Sequence, residues 1–201
     1  MRRVTALVAA MLVLVALQSS RGNLLTNPGF EGSGGWGLGG GGGTWNTNLS
    51  DSAQAHSGTK SYSASWSGVP VWNAGVANQT FDVLAGQTLD ASAYVKIDSI
   101  NSAQTYLETI FYDASWSQLP DETKFQSTKL SSVADWTEMS LTGIVSNNAA
   151  HARLQLVVQA TDNNSSGSVF FDDVNAVPEP TTAAMLGVAM AGLVVLRRRK
   201  M

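Results

Sequence analysis

Three tryptophans, Trp45, Trp72 and Trp116, stand in polar, turn-like surroundings rather than in apolar runs. An exposed indole offers a flat apolar face. A sugar ring has apolar C–H faces that stack on such a surface, and hydroxyls that need paired donors and acceptors. Tyr94, Lys96, Arg153 and Gln155 fall on outward positions of two alternating segments and supply groups of that kind, so the six residues Trp45, Trp72, Trp116, Tyr94, Arg153 and Gln155 are the ligand-contacting candidates. A tryptophan in such a place can equally pin a long loop, and for Trp36, Trp45, Trp72 and Trp116 the sequence leaves both readings open. Arg153 can likewise serve a surface ion pair. Trp66 and Trp136 read as core packing.

Catalytic groups are sparse. Glu108, Asp113, Asp121 and Glu122 supply carboxylates of the type used in glycoside hydrolysis, but nothing in their spacing selects a pair. No serine has a nucleophile-elbow context, and the Gly39–Gly43 run lacks the lysine and the strand-to-helix setting of a phosphate loop. The chain has no cysteine and only two histidines, His56 and His151, which removes thiol catalysis and cysteine-type zinc sites. A non-catalytic chain is therefore expected.

The segments that must position these residues alternate with a period of two. Leu89, Ala91, Ala93, Val95 and Ile97 point one way and Asp90, Ser92, Tyr94 and Lys96 the other. Leu154, Leu156 and Val158 alternate with Arg153, Gln155 and Gln159 in the same manner. Further strands are expected over 61–64, 79–83, 105–112, 136–145 and 169–177, with a short one from Asn23 into the Pro28–Gly29 turn. Gly32 to Gly43 reads as a glycine-dense loop held, if at all, by Trp36. No stretch between the two ends of the chain shows the 3.6-residue period. Short alternating strands with Gly, Asn, Asp and Ser turns predict an all-β, antiparallel β-sandwich or jelly roll.

The two ends differ from this body. Arg2 and Arg3 precede an apolar run from Val4 to Leu17, and Ser20-Arg21-Gly22 gives small residues where signal peptidase reads, so residues 1–22 are expected to be an export signal with a helical core, cut before Asn23. At the other end stand Pro178-Glu179-Pro180, an apolar run from Ala183 to Leu196, and Arg197-Arg198-Arg199-Lys200. Two prolines around a glutamate cannot continue a helix or a central strand, and they hold the backbone extended. The apolar run is helix-competent, but 14 to 16 residues reach only about 21–24 Å, against a hydrocarbon core of about 30 Å. A transient stop awaiting cleavage fits better than a permanent transmembrane anchor, with the cationic end kept in the cytoplasm.

Charge divides along the same lines. Seven of the twelve basic residues lie in the terminal segments, but only Glu179 among the fifteen acidic ones. The body from Asn23 to Val177 thus carries five basic against fourteen acidic residues, a balance of −9. Such a surface repels phosphate backbones and excludes nucleic acid as a partner. It suits neutral ligands or divalent cations.

The three-part C-terminus, residues 178–201, resembles the PEP-CTERM sorting signal of Gram-negative bacteria. That resemblance implies recognition by an exosortase, a host that makes exopolysaccharide, a transient membrane stage, and delivery to the cell surface or extracellular matrix, the setting of biofilms. The body also resembles a known group. Asn27-Pro-Gly-Phe-Glu31, His56-Ser-Gly-Thr-Lys-Ser61, Gln79 to Gly86, Asp135-Trp136-Thr137 and Phe171-Asp172-Asp173-Val174 follow the order seen in carbohydrate-binding modules with a galactose-binding-like jelly roll. This second resemblance implies one sandwich domain over 23–177, glycan contact and a structural calcium ion (Ca2+). Its ligands would be Glu31, Asp172 and the backbone of Gly58–Lys60. Adjacent strand residues point to opposite faces, so only one of Asp172 and Asp173 should face that site, and Asp172 is preferred. A structural matrix or adhesion protein without a sugar site is the alternative, and a polysaccharide-degrading enzyme a more distant one.

Overall fold

A computed structural model describes residues 22–179 of the chain. The expected signal and tail helices, with Pro180, Arg197, Arg198 and Arg199, lie outside those residues. Among the described residues there is no helix long and apolar enough to cross a membrane.

The described chain is all β apart from one 3₁₀ turn at Asp121–Thr123. Ten strands run β1 Gly37–Gly40, β2 Thr44–Asp51, β3 Ser61–Val69, β4 Ala74–Asp82, β5 Thr88–Asn101, β6 Ala103–Tyr112, β7 Phe125–Gln126, β8 Thr137–Ile144, β9 His151–Ala160 and β10 Ser165–Glu179. They form two five-stranded sheets, with orders β1-β4-β9-β6-β7 and β2-β3-β10-β5-β8, and every pairing is antiparallel. The first is called sheet A below and the second sheet B.

Two-residue periodicity builds the core. From sheet A, Leu107 and Phe111 of β6 and Leu154, Leu156 and Val158 of β9 point inward. Tyr62 and Trp66 of β3, Leu89 and Val95 of β5, and Val169 and Phe171 of β10 meet them from sheet B. Two half-apolar faces thereby bury each other, and the outer faces are left for polar side chains. Trp66 joins this core as expected, with Nε1 donating to Ser165 Oγ at 2.9 Å.

Three expectations change. The glycine-dense stretch is not all loop: Gly37–Gly40 forms β1, paired with Asn78–Gly75 of β4. Main-chain pairing needs no side chains, and Trp36, buried with its Nε1 on Asn27 O at 3.0 Å, supplies the anchor the glycines lack. No strand forms at Asn23. One backbone bond, Leu24 N to Ala176 O at 2.9 Å, is reinforced by the Asn23 side chain, which accepts from Ala176 N and donates to Val174 O. Finally, β10 continues through Pro178 to Glu179, paired with Leu89 and Thr88 of β5. The proline is tolerated because β3 has already ended beside it. Ala176, two residues earlier, turns its N and O away from β5, so the Pro178 nitrogen also faces away from the ladder.

Candidate functional site

Two constellations hold chemistry, one on each outer face. On sheet A the outward residues of β4, β9 and β6 lie in rows set by register. Asp82, His151 and Tyr112 form one row, Thr80, Arg153 and Ile110 the next, and Asn78, Gln155 and Glu108 a third. Trp116 overhangs the first row. It belongs to a tight loop in which Asp113 Oδ1 accepts from Ser115 N at 2.8 Å and Ser117 N at 2.9 Å. Its backbone is left-handed, with φ 64°. The indole lies flat on the His151 ring, with centroids 3.9 Å apart and planes 4° apart, and its other face is open. His151 is steadied by Asp82 Oδ1 at 2.8 Å from Nδ1. The Arg153 guanidinium covers the Tyr112 ring at 4.8 Å, while its buried Nε finds no protein acceptor. Glu108 is buried and accepts from Gln126 Nε2 at 2.7 Å. Burial, with Glu108 nearby, pushes the Tyr106 hydroxyl up to about 12, so this face carries a neutral phenol at any working pH.

On sheet B the carboxylates and the His56–Lys60 turn form a knot. Asp172 is fully buried; its Oδ2 accepts from His56 N at 2.8 Å and Ser57 N at 3.1 Å. Burial raises its pKa, and those N–H donors offset part of the rise. Glu31 reaches the same turn from the other side. It accepts from Thr59 N at 2.6 Å, Thr59 Oγ1 at 2.8 Å and Lys60 N at 2.8 Å, which hold its carboxyl below the usual range. Contrary to the alternation argument, Asp173 joins as well. A bulge between Asp172 and Asn175 and a φ of 47° at Asp173 swing it back, so that it takes His56 Nδ1 at 2.6 Å and Ser57 Oγ at 2.7 Å. The signal for it was the Asp172-Asp173 pair, since aspartate tolerates left-handed backbone.

Among the described residues no group of three or more His, Cys, Asp or Glu side chains is arranged to hold a metal ion. A calcium shell here would have to combine Glu31 and Asp172 with backbone carbonyls. Gly29 stands beside these carboxylates, where a Cβ would sit at ordinary contact distance, 3.7 Å from Asp172 Oδ1 and 3.6 Å from Asp173 Oδ1.

The sequence candidates separate. Arg153, Gln155 and Trp116 share sheet A. Tyr94 and Lys96 lie on the opposite outer face and share no cleft with them. The Tyr94 ring stacks on His56 at 3.6 Å, and Lys96 Nζ bonds Gln54 Oε1 at 2.9 Å. Trp136, expected in the core, is only half-buried and meets His56 edge-on at 5.7 Å. Trp45 pins its hairpin: it stacks on Trp66 at 5.8 Å and donates to Gly42 O at 2.9 Å. Trp72 is highly exposed in a left-handed turn, but it sits beside Ala160, at the other end of β9 from His151. Nine residue steps at about 3.3 Å put it roughly 30 Å from Trp116. Of the catalytic candidates, Asp113 is spent on its own loop and Asp121 on Lys124 at 3.0 Å. His151, Tyr112 and Glu108 complete the sheet A face without having been selected with it, because only register makes them neighbours.

Comparison with known proteins agrees at both scales. Residues 176–200 match the PEP-CTERM protein-sorting motif. No curated protein matches the chain. Among solved structures, the carbohydrate-binding module TmCBM61, solved with β-1,4-galactotriose, is similar at TM-score 0.51 and 16% identity, over 80% of this chain and 100% of that one. The C-terminal family 22 carbohydrate-binding module of Clostridium thermocellum Xyn10B is similar at TM-score 0.53 and 17% identity, over 77% and 92%. The enzymatically active domain of bacteriophage CBA120 tailspike protein 4 is similar at TM-score 0.57 and 20% identity; it matches over 78% of this chain, which spans only 21% of the tailspike's length. The chain thus carries a PEP-CTERM sorting motif, which marks it for export, exosortase processing and sorting to the cell surface, on a β-sandwich with the fold of carbohydrate-binding modules.

Proposed function

We propose that this is a non-catalytic surface or matrix protein that binds a neutral glycan on the outer face of sheet A. The observation that carries the reading is Trp116. Its indole is stacked on one side and open on the other, and it is held in a strained backbone by a loop built to hold it. Arg153 and Gln155, both partly exposed, follow along the same face and supply side-chain donors and an acceptor of the kind that sugar hydroxyls need. Exopolysaccharide of the host is the partner class, reached after signal peptidase and exosortase have acted. The test is retention on a panel of immobilised polysaccharides. The chain should be held by at least one neutral glycan, and Trp116→Ala should weaken that by at least about tenfold, which is about 1.4 kcal/mol. Absence of retention on every glycan would leave a structural matrix role, and release of free sugars would make the chain an enzyme.

A structural calcium ion at Glu31 and Asp172 is the second element of the reading. It is supported by the burial of Asp172 with no lysine or arginine among its bonded partners. Melting with and without chelator tests it: the midpoint should fall on chelation, and an unchanged midpoint would remove the ion.

A further inference from the structure

Strand β10 ends at Glu179, on the same row as Thr88 of β5 and Ile144 of β8. The turn from β4 to β5 closes over this end, with Gly86 N on Val145 O at 2.9 Å. Two aliphatic side chains are left open there, Leu84 at 72% and Ile144 at 68% exposure. Turns at such positions ordinarily carry polar residues. The opposite end of the sandwich, made by the turns at 70–73, 101–103 and 161–164, carries one exposed indole, Trp72, among Asn73, Asp162 and Asn163, and no large exposed aliphatic side chain.

Only Pro180, Thr181 and Thr182 separate Glu179 from the apolar run that begins at Ala183. Four residue steps reach at most about 14 Å. The headgroup layer on one side of a bilayer occupies about 6 Å. With residues 183–196 in the hydrocarbon, the Glu179 end of the sandwich is tethered within about 8 Å of the headgroup layer. We infer that, before the tail is removed, Leu84 and Ile144 rest in the headgroup layer of the bilayer and orient the sandwich with that end toward the membrane. The occupant is lipid, because the connection is too short for an intervening domain and the two side chains flank the exit point itself. Asp82 and Glu179 are acidic, and neither Lys nor Arg occupies β4, β5 or β8 within three residues of this row. The contact is therefore apolar and tethered, and it requires no anionic lipid. The row of Asp82, His151 and Tyr112 lies at this same end of sheet A, so Trp116 is near the membrane until the tail is cut; the inference rests on Leu84, Ile144 and the short connection and does not depend on glycan binding.

The chain has no cysteine, so single cysteines can be placed cleanly. Leu84→Cys, Ile144→Cys and, at the far end, Asp162→Cys are each labelled with a polarity-sensitive dye in the full chain and reconstituted into phosphatidylcholine vesicles with and without acyl-brominated lipid. The vesicles should float with the chain. The labels at 84 and 144 should shift to the blue, lose intensity to brominated lipid and resist aqueous iodide, while the label at 162 should do none of these. Equal iodide access at all three sites would overturn the inference, as would failure of the chain to float. Protection that arises only when an exosortase is reconstituted alongside would overturn the lipid assignment and give the patch to that enzyme.

Discussion

At the scale of single residues, a side chain's chemistry was often legible and its employment was not. Trp45 and Trp116 look alike in sequence, each in a polar stretch. One is stacked on Trp66 and bonded to a loop carbonyl; the other lies on a histidine with a face to solvent. Trp45→Ala should therefore lower the melting temperature and spare glycan retention, the reverse of Trp116→Ala, and binding measured beside thermal melting separates the two. Glu31 makes a second residue-scale case. Its carboxyl is held below the usual range, so its stabilisation is present above the ordinary carboxylate value and is lost as pH falls through the depressed one. Asp172 has the opposite sign: its raised pKa favours the protonated folded form, and its contribution declines as pH rises. Glu31→Gln should consequently flatten the gain in melting temperature between about pH 3 and pH 5. An undiminished gain would show that Thr59 and Lys60 do not hold the ionised form.

At the scale of elements, the turn at 56–60 is the joint between the first and last segments of the sandwich. Four consecutive-range backbone N–H groups, those of His56, Ser57, Thr59 and Lys60, are captured by Asp172 and Glu31. Gly58 makes this geometry possible. Its φ is 63°, and a Cβ there would run into Glu31 Oε1. Gly58→Ala should cost about 2 kcal/mol, roughly 4–8 °C in melting temperature for a domain of this size. A neutral result by calorimetry would mean that the carboxylate can move aside at no cost. The strands themselves were largely readable, since β3, β5, β8 and β9 alternate over most of their length, while β6 is buried at nearly every position and was marked by strand propensity, not by period. What failed was pairing without pattern. β1 is mostly glycine and β7 has two residues, so neither has a period, and each exists because a neighbouring strand offers free main-chain groups.

At the scale of the whole molecule, charge and polarity select the ligand. A body balanced at −9 should not hold polyanionic glycans. Binding to a neutral glycan through stacking and hydrogen bonds involves no counterion release. Retention should therefore stay within about twofold between roughly 50 and 500 mM salt, because screening acts on charge pairs and not on stacking. A steep loss with salt, read by affinity electrophoresis at several ionic strengths, would point to a charged ligand instead.

By itself the sequence determined the class of fold, the core residues of the long strands, the acidic thiol-free body and the sorting motif. Each of these is written locally, in period, composition or contiguous order. Only the tertiary structure decided which polar residues meet. Arg153 and Tyr94 alternate outward in the same way, yet they lie on opposite faces because β9 and β5 belong to different sheets. Asp173 reaches the turn only through a bulge, and Trp116 gains its support only because register brings His151 beneath it. Side-chain alternation has a period of two and carries no information about the partner strand, so sheet order and register, the products of long-range packing, were what assembled the site.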